Sequence, residues 1–236
     1  MLIHKENEIS IFFGDAQSCP VERTATTEYK NFCTDLVSKL GCSVLVLQDQ
    51  IHSVTGRYLD AEATFSHPVS IEETQGDYLI TDQPGVAVGV STADCLPIIL
   101  FDKRNKMVAA VHAGWKGSLA GIATKTIEHM LKKHFFGPAD LHCYFGACAK
   151  ACCYEVKADL IDQLAEYSWK NQVVTNHGGK FFFNLPLFNK LHLIDLGIEP
   201  RNINLKFNEC TICNTKYHSN RRNGHSRLCQ ITAAWL

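Results

Sequence analysis

Neither sign of charge prevails in this sequence: 23 Lys and Arg stand against 24 Asp and Glu, a net charge of −1 over 236 residues. A chain-wide field for nucleic acid or an anionic membrane surface is therefore absent. No apolar run approaches the ~18 residues of a membrane span. The opening "MLIHKENEISIFFGD" lacks a basic segment followed by an apolar one, so no secretory signal is expected. Internal repeats, low-complexity tracts and Pro/Gly/Ser linkers are missing too, which leaves a single domain over residues 1–236. There is no His-x-His pair, and a multicopper oxidase characteristically uses such pairs around its copper cluster. The common zinc-deaminase pattern, His-x-Glu with Pro-Cys-x-x-Cys, is also unmet. Its only fragment is His4-Lys5-Glu6 at the N-terminus.

Cysteine, by contrast, is abundant. There are eleven, an odd number, in a chain longer than most disulfide scaffolds. This composition predicts free thiols in a reducing, cytoplasmic setting. Several thiols are expected as small core residues, and at least one as a ligand or nucleophile. With 46% hydrophobic residues the chain can bury a large core.

Strand and helix patterns alternate irregularly. "YKNFCTDLVSKLG" places Tyr29, Phe32, Cys33, Leu36, Val37 and Leu40 on one helical face, with Gly41 as the stop. Strands are predicted at 43–48, "YLITD", "VAVGV", 141–146, 180–184, 203–206 and 229–235. Ser118 can cap a helix whose stripe is Leu119, Ile122, Ala123, Ile127, Met130 and Leu131. Further helices are expected near 157–169 and 187–196, the second with Asn184 as cap, Pro186 in the first turn and Gly197 beyond the end. The fold class is α+β (mixed α/β), not a regular βαβ array.

The stretch "STADCLPIILFDKRNKMVAAVHAGWKG" (91–117) reads as a β-hairpin. A turn centred between Lys103 and Arg104 pairs Ile99 with Val108 and Ile98 with Ala109. The same register sets Cys95 opposite His112, with Cβ atoms ~4.5–5.5 Å apart. That spacing suits two ligands of one metal. It equally suits a Cys–His nucleophile pair, that is, a cysteine hydrolase. A catalytic metal needs a third ligand, and His52 in "LQDQIHS", just past a strand end, is the best local candidate. Asp94, Glu155 and Asp77 are available as proton carriers, and the sequence does not rank them.

An anion site has two possible sources. The glycine-rich "HAGWKGSLAG" leads into a helix N-terminus beside Lys116. The basic loop "HSNRRNGHSR" adds Arg221, Arg222 and Arg227, whose forks suit phosphate oxygens. A tight turn and a solvated loop explain the same segments without a ligand. Trp115 can stack on a purine or sit in the core. "CTIC" is a single Cys-x-x-Cys. With Cys148, Cys152 and Cys153 it could serve thiol or metal storage, although one such pair is a weak zinc signal.

The segments "TDQPGVAVGVSTADCLPIIL", "VHAGWKGSLAGI", "CCYEV", "CTIC" and "RRNGHSR…AAWL" together resemble the YfiH-like family. That family is also labelled the laccase-domain or polyphenol oxidase family, and some members are called peptidoglycan editing factors. The resemblance runs from "QDQIHS" to the C-terminus. It implies sheets packed between helices, a layered sandwich of mixed β-sheets flanked by helices. It implies that His52, Cys95 and His112 bind a catalytic zinc, with copper as an alternative occupant. It also implies phosphorolysis of adenosine, inosine, guanosine and methylthioadenosine with inorganic phosphate as co-substrate, and deamination of adenosine. A zinc with an open position fits the deamination, since it lowers the pKa of bound water toward ~7. Two segments depart from the family pattern: "GACAKACCYEV" lacks its prolines, and "HSNRRNG" lacks the aromatic after the serine. Small purine nucleosides are the expected partners, with neither nucleic acid nor membrane, and the chain is expected as a monomer or small homo-oligomer.

Overall fold

Period-two burial in continuous apolar runs sets the architecture. In a strand, successive side chains face opposite sides, so a run that is apolar throughout must be covered on both faces. The computed structural model describes residues 2–6, 8–23, 26–65, 67–224 and 227–236. Its strands are β1 (Leu2–Glu6), β2 (Ile9–Phe13), β3 (Val44–Asp49), β4 (Gly56–Leu59), β5 (Val69–Gln75), β6 (Tyr78–Thr81), β7 (Val86–Thr92), β8 (Leu96–Asp102), β9 (Met107–Ala113), β10 (Leu141–Phe145), β11 (Glu155–Val156), β12 (Val174–His177), β13 (Lys180–Phe183), β14 (Ile203–Asn204) and β15 (Gln230–Trp235). Its α-helices are α1 (Thr27–Leu40), α2 (Trp115–Leu119), α3 (Ile122–Lys133), α4 (Ala158–Gln163), α5 (Lys170–Val173), α6 (Leu185–Asp195) and α7 (Asn220–Asn223).

Two six-stranded mixed sheets run in the orders β1-β2-β15-β7-β3-β5 and β14-β10-β8-β9-β6-β4, and a three-stranded sheet is ordered β11-β13-β12. Ile11, Val46, Val88 and Val90 of the first large sheet meet Ile99, Phe101, Val108 and Ala110 of the second, forming the sandwich core. The alternate residues Ile98, Leu100, Ala109 and Val111 turn outward, onto Ile122, Met130, Phe188 and Leu193 of α3 and α6. On the far side, Leu45, Leu47, Ala87 and Ala233 pack under Tyr29, Cys33, Leu36, Val37 and Leu40 of α1. Each large side chain so buried contributes ~1.5–3 kcal/mol. Mixed sheets thus lie between helices in a layered sandwich. No helix among the described residues is long and apolar enough to cross a membrane.

Local signals account for the element ends. α1 is capped by Thr26, whose side chain accepts from the Tyr29 N–H, and it stops at Gly41 with φ 73°. Asn184 caps α6 by accepting from the Leu187 N–H. Three expectations need correction. The hairpin turn is centred between Arg104 and Asn105, so Ile99 pairs with Ala110 and Pro97, not Cys95, faces His112. Asp102 causes the shift: its carboxylate accepts from the N–H groups of Arg104 and Asn105 at 2.9 and 3.2 Å, closing a four-residue loop. Ser118 does not cap a helix but lies buried inside α2, where its hydroxyl accepts from Asn189 Nδ2 at 2.9 Å. The helix expected at 157–169 ends at Gln163 and continues as a 3₁₀ turn over Leu164–Glu166.

Candidate metal centre and its cleft

The slipped register still leaves the thiol and the imidazole together. A shift of two residues preserves the face, so Cys95 and His112 become diagonal neighbours. His112 is the penultimate residue of β9, Cys95 ends the turn joining β7 to β8, and His52 lies in the loop after β3. One ligand atom from each of the three lies within 4.8 Å of the other two. Cys95 Sγ is 3.7 Å from His52 Nε2. The two imidazole centres are 4.8 Å apart and their planes cross at 68°.

Asp77, just ahead of β6, assembles this group. Its side chain is fully buried, and Oδ1 meets His112 Nδ1 at 2.7 Å, leaving Nε2 as the second ring nitrogen. Its backbone carbonyl accepts the His112 N–H at 2.7 Å. Its carboxylate also accepts from the His52 N–H at 3.0 Å, the Ser53 N–H at 2.6 Å and the Ser53 hydroxyl at 2.7 Å. These bonds hold His52 at a φ of 61°, a left-handed conformation that costs a non-glycine residue energy. A carboxylate behind a ligating histidine fixes its tautomer and orientation. Asp94 performs a similar service for Cys95. At φ 90° it binds the Thr211 hydroxyl (2.6 Å) and the Arg221 N–H (2.7 Å), while its carbonyl accepts the Ala149 N–H at 2.8 Å. Glu155 instead lies half-buried near the surface, in an ion pair with Lys180 at 3.0 Å. The three carboxylates that the sequence could not rank thus divide into an orienter, a turn brace and a surface group.

The donor set fits a borderline-soft cation such as zinc. Gly114, next along from β9, keeps the space clear: a Cβ there would lie 2.9 Å from both Cys95 Sγ and His52 Cδ2. Gly114→Ala is expected to cost metal affinity about 10–100-fold, as a misplaced ligand does, with far-UV circular dichroism unchanged. Equilibrium titration with a chromophoric zinc chelator checks it.

The three side chains and Asp77 shift one another's ionisation. Burial opposes ionisation of Cys95, but the adjacent His112 charge and hydrogen bonds from His112 and His52 overcome it and bring the thiol down to about 6. Burial likewise opposes protonation of His112, and Cys95 together with Asp77 reverses this, raising the imidazole to about 9. Asp77 is held at about 2, because bonds to His112 and Ser53 outweigh its desolvation. The thiolate that a metal requires is thus already favoured.

The group opens onto a cleft of about 520 Å³ bordered by Arg23, Gln50, Ser91, Trp115, Tyr154, Arg221 and Arg227. Arg221 donates to the Glu155 carbonyl at 2.9 Å, and its guanidinium stands 5.4 Å from the Tyr154 ring centre. Arg227 also borders the cleft. Arg222 is turned elsewhere: its guanidinium is occupied by the carbonyls of Thr211 and Ile212 at 2.7 and 2.9 Å and by that of Tyr217. Lys116 is exposed on α2, its Nζ 5.6 Å from the Trp115 ring centre, and does not line the cleft. Sequence patterns missed Arg23 and Tyr154. Tyr154 stands in "CCYEV", whereas nothing local singles out Arg23.

Fold and site together define the class: a layered α/β protein with a His/His/Cys group where two sheets meet. Residues 25–236 match the family described as multi-copper polyphenol oxidoreductase laccase, and the chain belongs to that family. It is 31% identical over 159 residues to a purine nucleoside phosphorylase of Clostridium acetobutylicum, covering 67% of this chain and 64% of that one. The match therefore spans just under two thirds of that relative's length. It is 30% identical over 201 residues to adenosine deaminase RL5 from an unknown prokaryotic organism, covering 80% and 74%. In structure it resembles the hypothetical protein YfiH of Bacillus licheniformis, with a TM-score of 0.82, 20% identity and coverage of 98% and 93%. Protein NMB0706 of Neisseria meningitidis gives a TM-score of 0.81 at 22% identity, covering 100% and 98%. Enzymes thus stand among its relatives. The oxidase label finds little support in the site: among the described residues, the only two groups of three or more His, Cys, Asp or Glu suited to a metal are His52/Cys95/His112 and a cluster of four cysteines.

Proposed function

We propose that this chain is a zinc-dependent, cytoplasmic purine nucleoside phosphorylase that also deaminates adenosine. The observation that carries the proposal is the convergence of His52, Cys95 and His112 in the wall of an arginine-bordered cleft. Relatives named purine nucleoside phosphorylase and adenosine deaminase support it. The cleft volume lies within the ~300–1,000 Å³ common for small-ligand sites. His52 Nε2, Cys95 Sγ and His112 Nε2 would hold the zinc. When bound, zinc supplies Lewis acidity in the cleft.

The remaining work falls to the chain. Arg221 and Arg227 present guanidinium forks to phosphate oxygens. The Tyr154 and Trp115 rings offer flat apolar surface to a purine. Asp77 keeps His112 in one tautomer. In phosphorolysis the bond from C1′ to the purine nitrogen breaks and a bond from C1′ to a phosphate oxygen forms. The purine leaves with the electron pair and takes up a proton. Adenosine, inosine, guanosine and methylthioadenosine share the bond that reacts.

Adenosine incubated with the enzyme is expected to yield adenine and ribose 1-phosphate only when phosphate is present, and inosine with or without it. Chromatography of the products checks this, and the absence of both adenine and inosine would refute it. Arg221→Ala is expected to raise the KM for phosphate by roughly 10–100-fold, the loss of one charge-assisted contact of ~1.5–3 kcal/mol. Steady-state kinetics at varied phosphate measure it.

The Asp77–His112–Cys95 order, with the thiol lowered to about 6, also describes an activated nucleophile. It supports a second reading, a cysteine hydrolase acting in peptidoglycan precursor editing. A hydrolase of that kind keeps its activity after chelation and loses it to iodoacetamide, whereas the zinc enzyme loses it to the chelator.

A further inference from the structure

A second thiol-rich site lies outside the His52/Cys95/His112 group and owes nothing to the function proposed above. Two short segments, far apart in sequence, form it. Cys152 and Cys153 sit in the turn after β10, and Cys210 and Cys213 in the loop before α7. The strand-like bridge Cys148–Cys210 brings them together. The Cys148 N–H donates to the Glu209 carbonyl and the Thr211 N–H to the Cys148 carbonyl, both at 3.0 Å. The four sulfurs all lie within 4.8 Å of one another, with Cys152 Sγ and Cys213 Sγ 3.9 Å apart. A tetrahedral zinc with metal–sulfur bonds near ~2.3 Å spaces its sulfurs about 3.8 Å apart. Four sulfurs in a closed group, with no fifth position to fill, is the arrangement of a structural site.

One further feature fits such a centre. A metal held by four thiolates carries a net charge of −2, and cations border the loop. Arg222 donates to the carbonyls of Thr211, Ile212 and Asn214, and Lys150 Nζ to that of Asn208 at 3.0 Å. The occupation of the Arg222 guanidinium, unexplained by the cleft, follows.

We propose that Cys152, Cys153, Cys210 and Cys213 form a second metal site, a closed tetrathiolate site for one zinc ion. Loading releases to solvent whatever protons the four thiols carry; no bond between sulfurs forms and nothing is oxidised. The ion ties the 210–213 loop to the 150–153 turn. That loop bonds Asp94 through the Thr211 hydroxyl, and the adjoining α7 bonds Asp94 through the Arg221 N–H. The second site therefore braces the turn that presents Cys95.

The test uses the full chain, purified under reducing conditions without chelators. The double variant Cys95→Ala/His112→Ala removes the first site and leaves the cluster untouched. It is expected to retain about one zinc per chain by elemental analysis. Cobalt substituted into it should give the thiolate-to-metal charge-transfer absorption of a tetrathiolate centre. Alkylation followed by peptide mass spectrometry should find the four cysteines protected with zinc and reactive after chelation. Adding Cys210→Ser and Cys213→Ser should remove the last zinc. The proposal is overturned if the folded double variant binds no zinc, or if the four thiols alkylate equally with and without it. A mass two or four hydrogens below that of the reduced chain, indicating disulfides in the cluster, also overturns it. The first three measurements leave the cluster intact, so misfolding of the serine variants does not affect the decision.

Discussion

Cys95→Ala is expected to empty the His52/Cys95/His112 site and to slow adenosine turnover about a thousandfold. Two imidazoles remain, and neither brings the negative charge that a thiolate contributes to a divalent cation. Loss of the Lewis acid forfeits several kcal/mol of transition-state stabilisation, and a thousandfold corresponds to about 4 kcal/mol. The fold should survive, because Cys95 is only half-buried and no core cluster contains it. Metal content, turnover and thermal midpoint measured on one preparation check the three parts. A cysteine hydrolase would also lose its activity in this variant. Parallel loss of one metal equivalent and of turnover is the outcome specific to the metal enzyme.

Asp77→Asn carries the second-largest effect. One buried carboxylate accepts from the His112 ring, the backbone N–H groups of Ile51, His52 and Ser53, and the Ser53 hydroxyl. An amide keeps the shape but turns one acceptor into a donor, so it must face at least one N–H with another. Metal affinity is expected to fall 10–100-fold, as when the partner behind a ligating histidine is lost. Stability should fall too, and in a pH-dependent way. Asp77 ionises at about 2 in the folded chain against an ordinary 3.8. A depressed pKa stabilises the folded state above the unfolded value and loses that effect as pH falls through the folded one. The advantage of wild type over Asp77→Asn should therefore be full between about pH 4 and 6.5 and shrink toward pH 2; it should shrink again toward pH 9, where His112, raised in part by Asp77, loses its proton. Urea titrations of the metal-free proteins at several pH values measure this.

The strands legible in the sequence were those with continuous apolar runs. β7, β8, β9 and β15 are buried along their whole length, and burial on both faces leaves an unmistakable pattern. β1, β4 and β11 are short and partly exposed, so their sequences carry little signal. The pairing of Cys95 with His112 was right in face and wrong in register. Parity follows from the period of two, but register depends on the turn, and Asp102 decided it through bonds that spacing does not reveal. His52 was only nominated by its place after a strand. Its left-handed backbone and its tie to Asp77 are tertiary features. The basic loop read as one feature, yet adjacent side chains diverge: Arg221 enters the cleft and Arg222 braces the cysteine loop. The four cysteines are two local pairs, and only the fold makes them one group.

Zinc titrated into chelator-treated chain, with adenosine breakdown followed in phosphate buffer, tests the central claim most directly. Adenine release should be negligible without metal, rise with added zinc and saturate in wild type, and stay near zero at every zinc concentration in His52→Ala. Full turnover by the metal-free protein, or unimpaired turnover by His52→Ala, would contradict it.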